Sequence, residues 1–239
     1  MKLEGKKALI TGGSKGIGKG LARVFLEHGA SVIICARNEM SLKSASRELE
    51  SSGDISYIVA DIGNRDDVAK IASEIENKWG YLDILINNAS VLGVKAPIKD
   101  YPEELWEKVI HINLNAQFFV TKALLPMLLK AENGSIINVS SSVGRKGKSN
   151  WGAYAASKFG VEALTQFLAD ETADTGLRVN SVNPGGTRTD MRAEAYPDEE
   201  PETLPTPEDI APVFIYLASD DSAGVTGKEF SARDWIGKS

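Results

Sequence analysis

Cysteine and histidine are scarce in this 239-residue sequence: Cys35 stands alone, and His28 and His111 are the only histidines. A single thiol excludes an intrachain disulfide and any cysteine-rich metal site. Two distant histidines cannot build a zinc centre with it, so no metal is expected. Neither histidine falls in a motif, and both are read as structural, as is Cys35 within its apolar run. No apolar stretch approaches the ~18 residues of a membrane-spanning helix. The first apolar run, Ala8-Leu9-Ile10, passes straight into a glycine turn with no signal-peptide core ahead of it. A cytoplasmic protein without a membrane partner is therefore expected. Basic residues are in deficit, 27 Lys and Arg against 33 Asp and Glu, for a net charge of −6. That balance argues against a nucleic-acid partner. Internal repeats and low-complexity linkers are lacking too. A chain of this length that is 42% apolar can bury one sizeable core, so 1–239 is read as a single domain.

What is present is an alternation of short β-branched runs with longer amphipathic stretches. Strands are predicted over 6–11, 31–36, 55–60, 82–87, 134–140, 177–183 and 227–232, each but the last followed by a helical pattern. Strands of nearly continuous apolar residues are covered on both faces. The expected fold is α/β: a doubly wound, seven-stranded parallel sheet with helices on both faces. Thr206-Pro207-Glu208-Asp209 and Tyr101-Pro102-Glu103-Glu104 carry the proline-then-acid chemistry of helix starts. One stretch, 185–205, is irregular and rich in Pro, Glu and Thr, and is expected to form a mobile flap over a site.

Thr11-Gly12-Gly13-Ser14-Lys15-Gly16-Ile17-Gly18 follows the first strand and opens a helix. Glycines at 12, 16 and 18 allow a tight turn and close backbone approach to a pyrophosphate, which a helix N-terminus attracts. A triphosphate-binding loop is excluded, because Gly20 stands where a Ser or Thr must ligate Mg²⁺. Further along, Tyr154 and Lys158 are four residues apart in a predicted helix over 151–175, so they share a face. An ammonium beside a phenol favours the phenolate and is expected to lower a pKa that is ordinarily about 10. Ser141 lies thirteen residues before Tyr154. Serines at 140, 141 and 142 leave the register open on composition alone. Such a tyrosine can act as a general acid in carbonyl reduction.

Together these motifs resemble the short-chain dehydrogenase/reductase family, in its single-domain, Rossmann-type branch, and the resemblance covers nearly the whole chain. The spacing G-x-x-x-G-x-G is the form seen in that family. Asn87-Asn88-Ala89-Ser90 resembles its N-N-A-G, with serine replacing the last glycine. Asn113 falls where the family keeps a catalytic asparagine, and 183–189 resembles the turn at the nicotinamide end. The resemblance implies a cofactor half over about 1–90 and a catalytic half over about 91–239. Catalytic residues would be Asn113, Ser141, Tyr154 and Lys158, with Asn113 positioning a water that links Lys158 to solvent. Cofactor contacts would come from Gly12, Ser14, Lys15, Gly16, Ile17, Gly18, Arg37, Asp61, Ile62, Asn88, Ala89, Tyr154, Lys158, Pro184, Gly185, Thr187 and Thr189.

An NAD site would place an acid on the ribose 2′-hydroxyl about twenty residues past the turn. Here strand two ends Cys35-Ala36-Arg37-Asn38, and Arg37 with Lys15 suits a 2′-phosphate, so NADP(H) is expected over NAD(H). The substrate is expected to be a small carbonyl or alcohol, held by 91–97, 143–151 and the flap. Arg145, Lys146, Lys148, Arg188 and Arg192 suggest an anionic or carrier-linked substrate such as a 3-oxoacyl thioester; solvated loop charges are the alternative. A dinucleotide sensor on the same fold is the competing function class, although sensors often lose the Tyr or Lys kept here. By resemblance the protein forms a homodimer or homotetramer. The C-terminus lacks the V-D-G-G ending of many tetrameric relatives.

Overall fold

The computed structural model describes residues 1–238; the last residue of the expected domain, Ser239, lies outside them. Seven strands form one parallel sheet: β1 (Lys7–Thr11), β2 (Ser31–Ala36), β3 (Ile55–Val59), β4 (Ile84–Asn87), β5 (Ser135–Val139), β6 (Arg178–Asn183) and β7 (Glu229–Ser231). Among the described residues eight α-helices connect or follow them: α1 (Gly16–Glu27), α2 (Glu39–Leu49), α3 (Arg65–Trp79), α4 (Glu103–Ile110), α5 (Ala116–Leu128), α6 (Gly152–Glu171), α7 (Asp190–Ala195) and α8 (Pro212–Ala218).

Alternation along each strand explains why the strands read as continuous apolar runs. Ala8, Ile10, Val32, Ile34, Ile84 and Ile86 face one core, shared with Leu21, Phe25 and Phe214 of α1 and α8. Leu9, Ile33, Cys35, Leu85 and Ile136 face the other, with Ile71, Val120, Leu124 and Leu168 of α3, α5 and α6. Each face needs its own apolar set, because helices exclude water from both.

The strand order is β3-β2-β1-β4-β5-β6-β7. The chain winds outward from β1 to β3, then returns to lay β4 on the other side of β1. Connections leave in opposite directions from β1 and β4, and a crevice opens beyond their carboxyl ends. That crevice is where Gly12 and Asn88 meet.

Two local departures bear on function. Between α4 and α5 the backbone widens into a π-type turn over His111–Asn115, which the sequence pattern reads as plain helix. The 185–205 segment is largely structured, since it contains α7, capped by Thr189 Oγ1 accepting from Arg192 N at 3.2 Å. Its Arg188 donates to the carbonyls of Pro201, Glu202 and Leu204. Predicted strand ends overran by a residue or two. Asp83, for example, lies just before β4, and its carboxylate accepts from Lys7 N at 2.8 Å.

Candidate active site

A single cleft of about 980 Å³ runs from the glycine turn to the flap. At one end Gly12 sits at φ +67° and Gly16 at φ +54°, backbone that L side chains rarely adopt. A Cβ on Gly18 would stand 2.4 Å from the Gly12 carbonyl oxygen. The turn therefore closes onto the start of α1 only with glycine there. The first turn of α1 carries no acidic residue and no side-chain cap. By contrast α3 is capped by Asn64 and begins with Asp66 and Asp67. Backbone N–H groups at the α1 start are thus left for an anionic ligand, and a dinucleotide pyrophosphate fits this cradle.

Asn88 fixes the opposite lip. Its Nδ2 donates to the carbonyls of Thr11 at 2.8 Å and Gly12 at 3.2 Å. Thr11 Oγ1 in turn accepts from the backbone N–H of Asn88 and Ala89, each at 3.0 Å. Ser14, Lys15, Ile17, Arg37, Asp61, Ile62 and Ala89 line the same cleft, as do Pro184, Gly185, Thr187 and Thr189 at its far wall. Arg37 lies 3.7 Å from Asp61 Oδ2 with its side chain 61% exposed, free to turn toward a ligand. Lys15 instead reaches across to Asp190 Oδ2 at 2.9 Å, so the glycine turn and the flap are joined over the cleft. Both groups are mostly exposed, and such a pair is weak.

The structure brings Ser141, Tyr154 and Lys158 together on the cleft wall. Ser90 lines the same cleft. Lys158 is buried, donates from Nζ to the Val139 carbonyl at 2.7 Å, and lies 5.7 Å from the Tyr154 ring centroid. Burial pushes the Tyr154 phenol up to about 12, outweighing the opposing influence of the Ser141 and Ser90 hydroxyls. Burial pulls the Lys158 ammonium down to about 8, with Glu162 opposing. This differs from the expected lysine-lowered phenol: desolvation sets the direction of the shift, and Lys158 Nζ donates to a carbonyl rather than to the phenol.

Asn113 is fully buried behind the cleft. Its Oδ1 accepts from Val91 N at 2.8 Å, while Nδ2 donates to Val91 O at 2.9 Å and Ser157 Oγ at 3.1 Å. Ser157 Oγ donates to the Tyr154 carbonyl at 2.8 Å. Asn113 therefore clamps the loop after β4 to the helix that bears Tyr154 and Lys158. The π-type turn aims it inward, as such turns often do at functional sites.

Of the expected basic residues, Lys148, Arg188 and Arg192 line the cleft, whereas Arg145 does not. Arg145 turns into the fold, pairing with Glu162 at 2.8 Å and Glu229 at 3.2 Å and donating to Ser181 Oγ and the Phe230 carbonyl. Arg188 holds flap carbonyls, and Arg192 pairs with Glu199. What the sequence pattern missed is an aromatic pocket. Trp151 packs at a tilt against Tyr154 and Tyr196, with centroids 5.7 and 6.0 Å apart, beside Leu92, Val143 and Met191. Lys95 and Lys148 cap Tyr196, the first 4.4 Å from its ring centroid and the second 3.3 Å from its hydroxyl. Nothing in the linear order links Lys95 to Tyr196, which lie 101 positions apart.

The other sequence-based readings have plain structural counterparts. His28 bonds the Val24 carbonyl and His111 the Gly63 carbonyl. Cys35 is fully buried, and that burial pushes its thiol up to about 12. Among the described residues there is no cluster of His, Cys, Asp or Glu that could hold a metal, and no helix long and apolar enough to cross a membrane.

A pyrophosphate cradle at the switch point of a parallel sheet, ending at a Ser, a Tyr and a Lys, defines a dinucleotide-dependent enzyme site. The family model for short chain dehydrogenases matches residues 6–200. An uncharacterized oxidoreductase of Escherichia coli strain K12, YciK, is 43% identical over 229 residues, covering 94% of this chain and 90% of its own. The 3-oxoacyl-[acyl-carrier-protein] reductase FabG of Thermotoga maritima is 39% identical, covering 95% and 96%. A short chain dehydrogenase structure from Shigella flexneri, complexed with NADP, superposes with a TM-score of 0.92 at 41% identity, over 97% of this chain and 99% of that one. The chain belongs to the short chain dehydrogenase family and is an NAD(P)-dependent oxidoreductase.

Proposed function

We propose that this protein is an NADP(H)-dependent carbonyl reductase in which Tyr154 is the proton donor. The observation that carries the reading is the meeting of Ser141, Tyr154 and Lys158 on the wall of the cofactor cleft. With its phenol pushed up to about 12, Tyr154 stays neutral near pH 7 and keeps a proton to give, which suits reduction. NADPH, when bound, supplies the hydride. Ser141 donates to the substrate oxygen and stabilises charge as it develops there. Lys158 stays largely protonated at neutral pH and supplies positive charge beside the phenol. Asn113 keeps the two helical residues in register with the loop after β4.

Arg37 supports a 2′-phosphate, since it is exposed at the cleft and no acid takes the ribose position at the end of β2. The complex of the Shigella relative with NADP agrees with that choice. For substrate, the Trp151–Tyr196 pocket favours an apolar chain next to the carbonyl, and Lys95 and Lys148 at its rim favour an anionic or thioester-linked tail. The FabG relative supports a 3-oxoacyl thioester within this class. Exposed Phe118, Phe159 and Phe167 on α5 and α6 support self-association as a dimer or tetramer. A monomer by light scattering at micromolar concentration would count against that assembly.

The function is tested by following NADPH oxidation with neutral ketones, 3-oxo esters and 3-oxoacyl thioesters. Turnover of at least one class is expected, faster with NADPH than with NADH, and fastest with the thioesters. Equal rates for charged and neutral ketones would remove the anionic tail. No oxidation with any carbonyl would replace the reductase by a dinucleotide sensor.

A further inference from the structure

Gly185 and Gly186 follow β6 on the wall of the cofactor cleft, and neither has a side chain with which to pack. Gly185 sits at φ +72°, so the pair joins a left-handed turn to the greatest backbone freedom any residue brings. Other groups must hold it. Within the turn, Gly185 N–H donates to Asn183 Oδ1 at 3.0 Å, and the Thr187 hydroxyl donates to the Pro184 carbonyl at 3.3 Å. Among the described residues, the only side chain from a distant segment that bonds either glycine is Arg233, which donates to the Gly186 carbonyl. Its stem also lies along Gly185. A Cβ there would stand 3.0 Å from Arg233 Cγ and 3.3 Å from Nε. A Cβ on Gly186 would in turn stand 3.2 Å from the Arg192 guanidinium, which pairs with Glu199.

The sheet puts Arg233 there. β7 pairs with β6 in parallel register, Val182 with Phe230 and Asn183 with Ser231. Gly185 and Arg233 each lie two positions beyond that last pair, so they come level at the carboxyl edge. The turn Ala232–Trp235 that bears Arg233 is anchored on both sides of it. Ala232 is fully buried, and the Trp235 ring stacks on Tyr216 of α8 at 4.7 Å and meets Phe230 edge-on at 6.2 Å. The Arg233 backbone is therefore fixed, although its side chain borders solvent.

Strand order says which part of the cofactor meets this wall. The glycine cradle follows β1, with Arg37 after β2 and Asp61 after β3 on one side of it. Asn88 after β4, Ser141 after β5 and Gly185 after β6 lie on the other. Ser140 N donates to the Val182 carbonyl at 2.8 Å, so the ends of β5 and β6 adjoin. A dinucleotide with its pyrophosphate in the cradle and its adenosine toward Arg37 would reach Gly185 and Gly186 with its nicotinamide half. We propose that Arg233 is a positioning residue that holds the Gly185–Gly186 turn as the wall for that half. The segment after β7 thereby sets how firmly the nicotinamide is held beside Ser141 and Tyr154. The proposal rests on the NADP(H) reading, but not on any choice of substrate.

The test separates the two halves of the cofactor. Wild type, Arg233→Ala, Arg233→Met and Arg233→Lys are titrated calorimetrically with NADPH and with adenosine 2′,5′-bisphosphate, which lacks the nicotinamide half. Methionine keeps much of the stem without a donor, whereas lysine keeps a charged donor on a flexible stem. Arg233→Ala and Arg233→Met are each expected to weaken NADPH by about five- to tenfold, the scale of one charged hydrogen bond. Affinity for the bisphosphate should not change, and Arg233→Lys should recover much of the NADPH loss. A loss shared equally by both ligands overturns the proposal in favour of general destabilisation. Unchanged NADPH affinity in every variant overturns it outright. A loss in Arg233→Ala that is absent in Arg233→Met overturns the hydrogen bond in favour of packing by the stem. Wild type that binds neither ligand overturns the NADP(H) reading and the proposal with it. Selective loss of NADPH affinity in a protein that turns over no carbonyl upholds the proposal and overturns the reductase reading alone.

Discussion

Tyr154→Phe is expected to lower kcat for carbonyl reduction by about 10²–10⁴-fold, the usual worth of a placed general acid. The substitution removes one oxygen and leaves the ring in its pocket with Trp151, Val143 and Leu92. Cofactor affinity, measured by quenching of tryptophan fluorescence on NADPH addition, should stay within about threefold, since one neutral hydrogen bond is at stake. The split between the two readouts carries the result. Unchanged turnover would remove the proton-donor role. Lost cofactor binding would move Tyr154 from chemistry to holding the dinucleotide. A folding defect would show in the thermal midpoint, which this volume-conserving change should leave near wild type.

The second large effect is on stability. Arg145→Met removes the cation that faces Glu162, and Glu162 is only 5% exposed. Removing one partner of a buried pair typically costs about 3–5 kcal/mol, because the other charge is left desolvated. Ser181 still bonds the Glu162 carboxylate, which places the expected cost near the lower end, about 3 kcal/mol. For a chain of this size that lowers the melting temperature by roughly 6–12 °C. The double change Arg145→Met with Glu162→Met should recover part of the loss, since the desolvated carboxylate is then gone while the buried Lys158 loses its nearby acid. A single variant melting with wild type would show that the pair is solvated in solution. NADPH affinity should not change, because the Arg145 guanidinium faces β6 and β7 and not the cofactor.

These two residues differ sharply in how readable they were. Tyr154 was legible because helical period alone puts positions 154 and 158 on one face, and α6 forms where the pattern places it. The seven strands were legible for a similar reason. A strand covered on both faces needs apolar residues at every position, and that demand leaves a continuous local run. Arg145 was misread as a free cation at the substrate mouth. Its partners come from α6 and β7, 17 and 84 positions away, and only the folded chain brings those carboxylates to it. The π-type turn was not legible either. His-Ile-Asn-Leu-Asn has no breaker to mark it, and the widening answers to the loop after β4 that Asn113 must reach.

By itself the sequence determined the doubly wound sheet, the glycine cradle at its switch point and the pairing of Tyr154 with Lys158. Each follows from local periodicity, or from glycine's lack of a Cβ, and needs no knowledge of distant segments. The tertiary structure alone decided the burial of Tyr154 and Lys158, the turning of Arg145 away from the substrate mouth, the pairing of Arg192 with Glu199, and the aromatic pocket under Lys95 and Lys148. Those outcomes depend on desolvation and on partners many residues away, and both exist only once the chain has closed on itself.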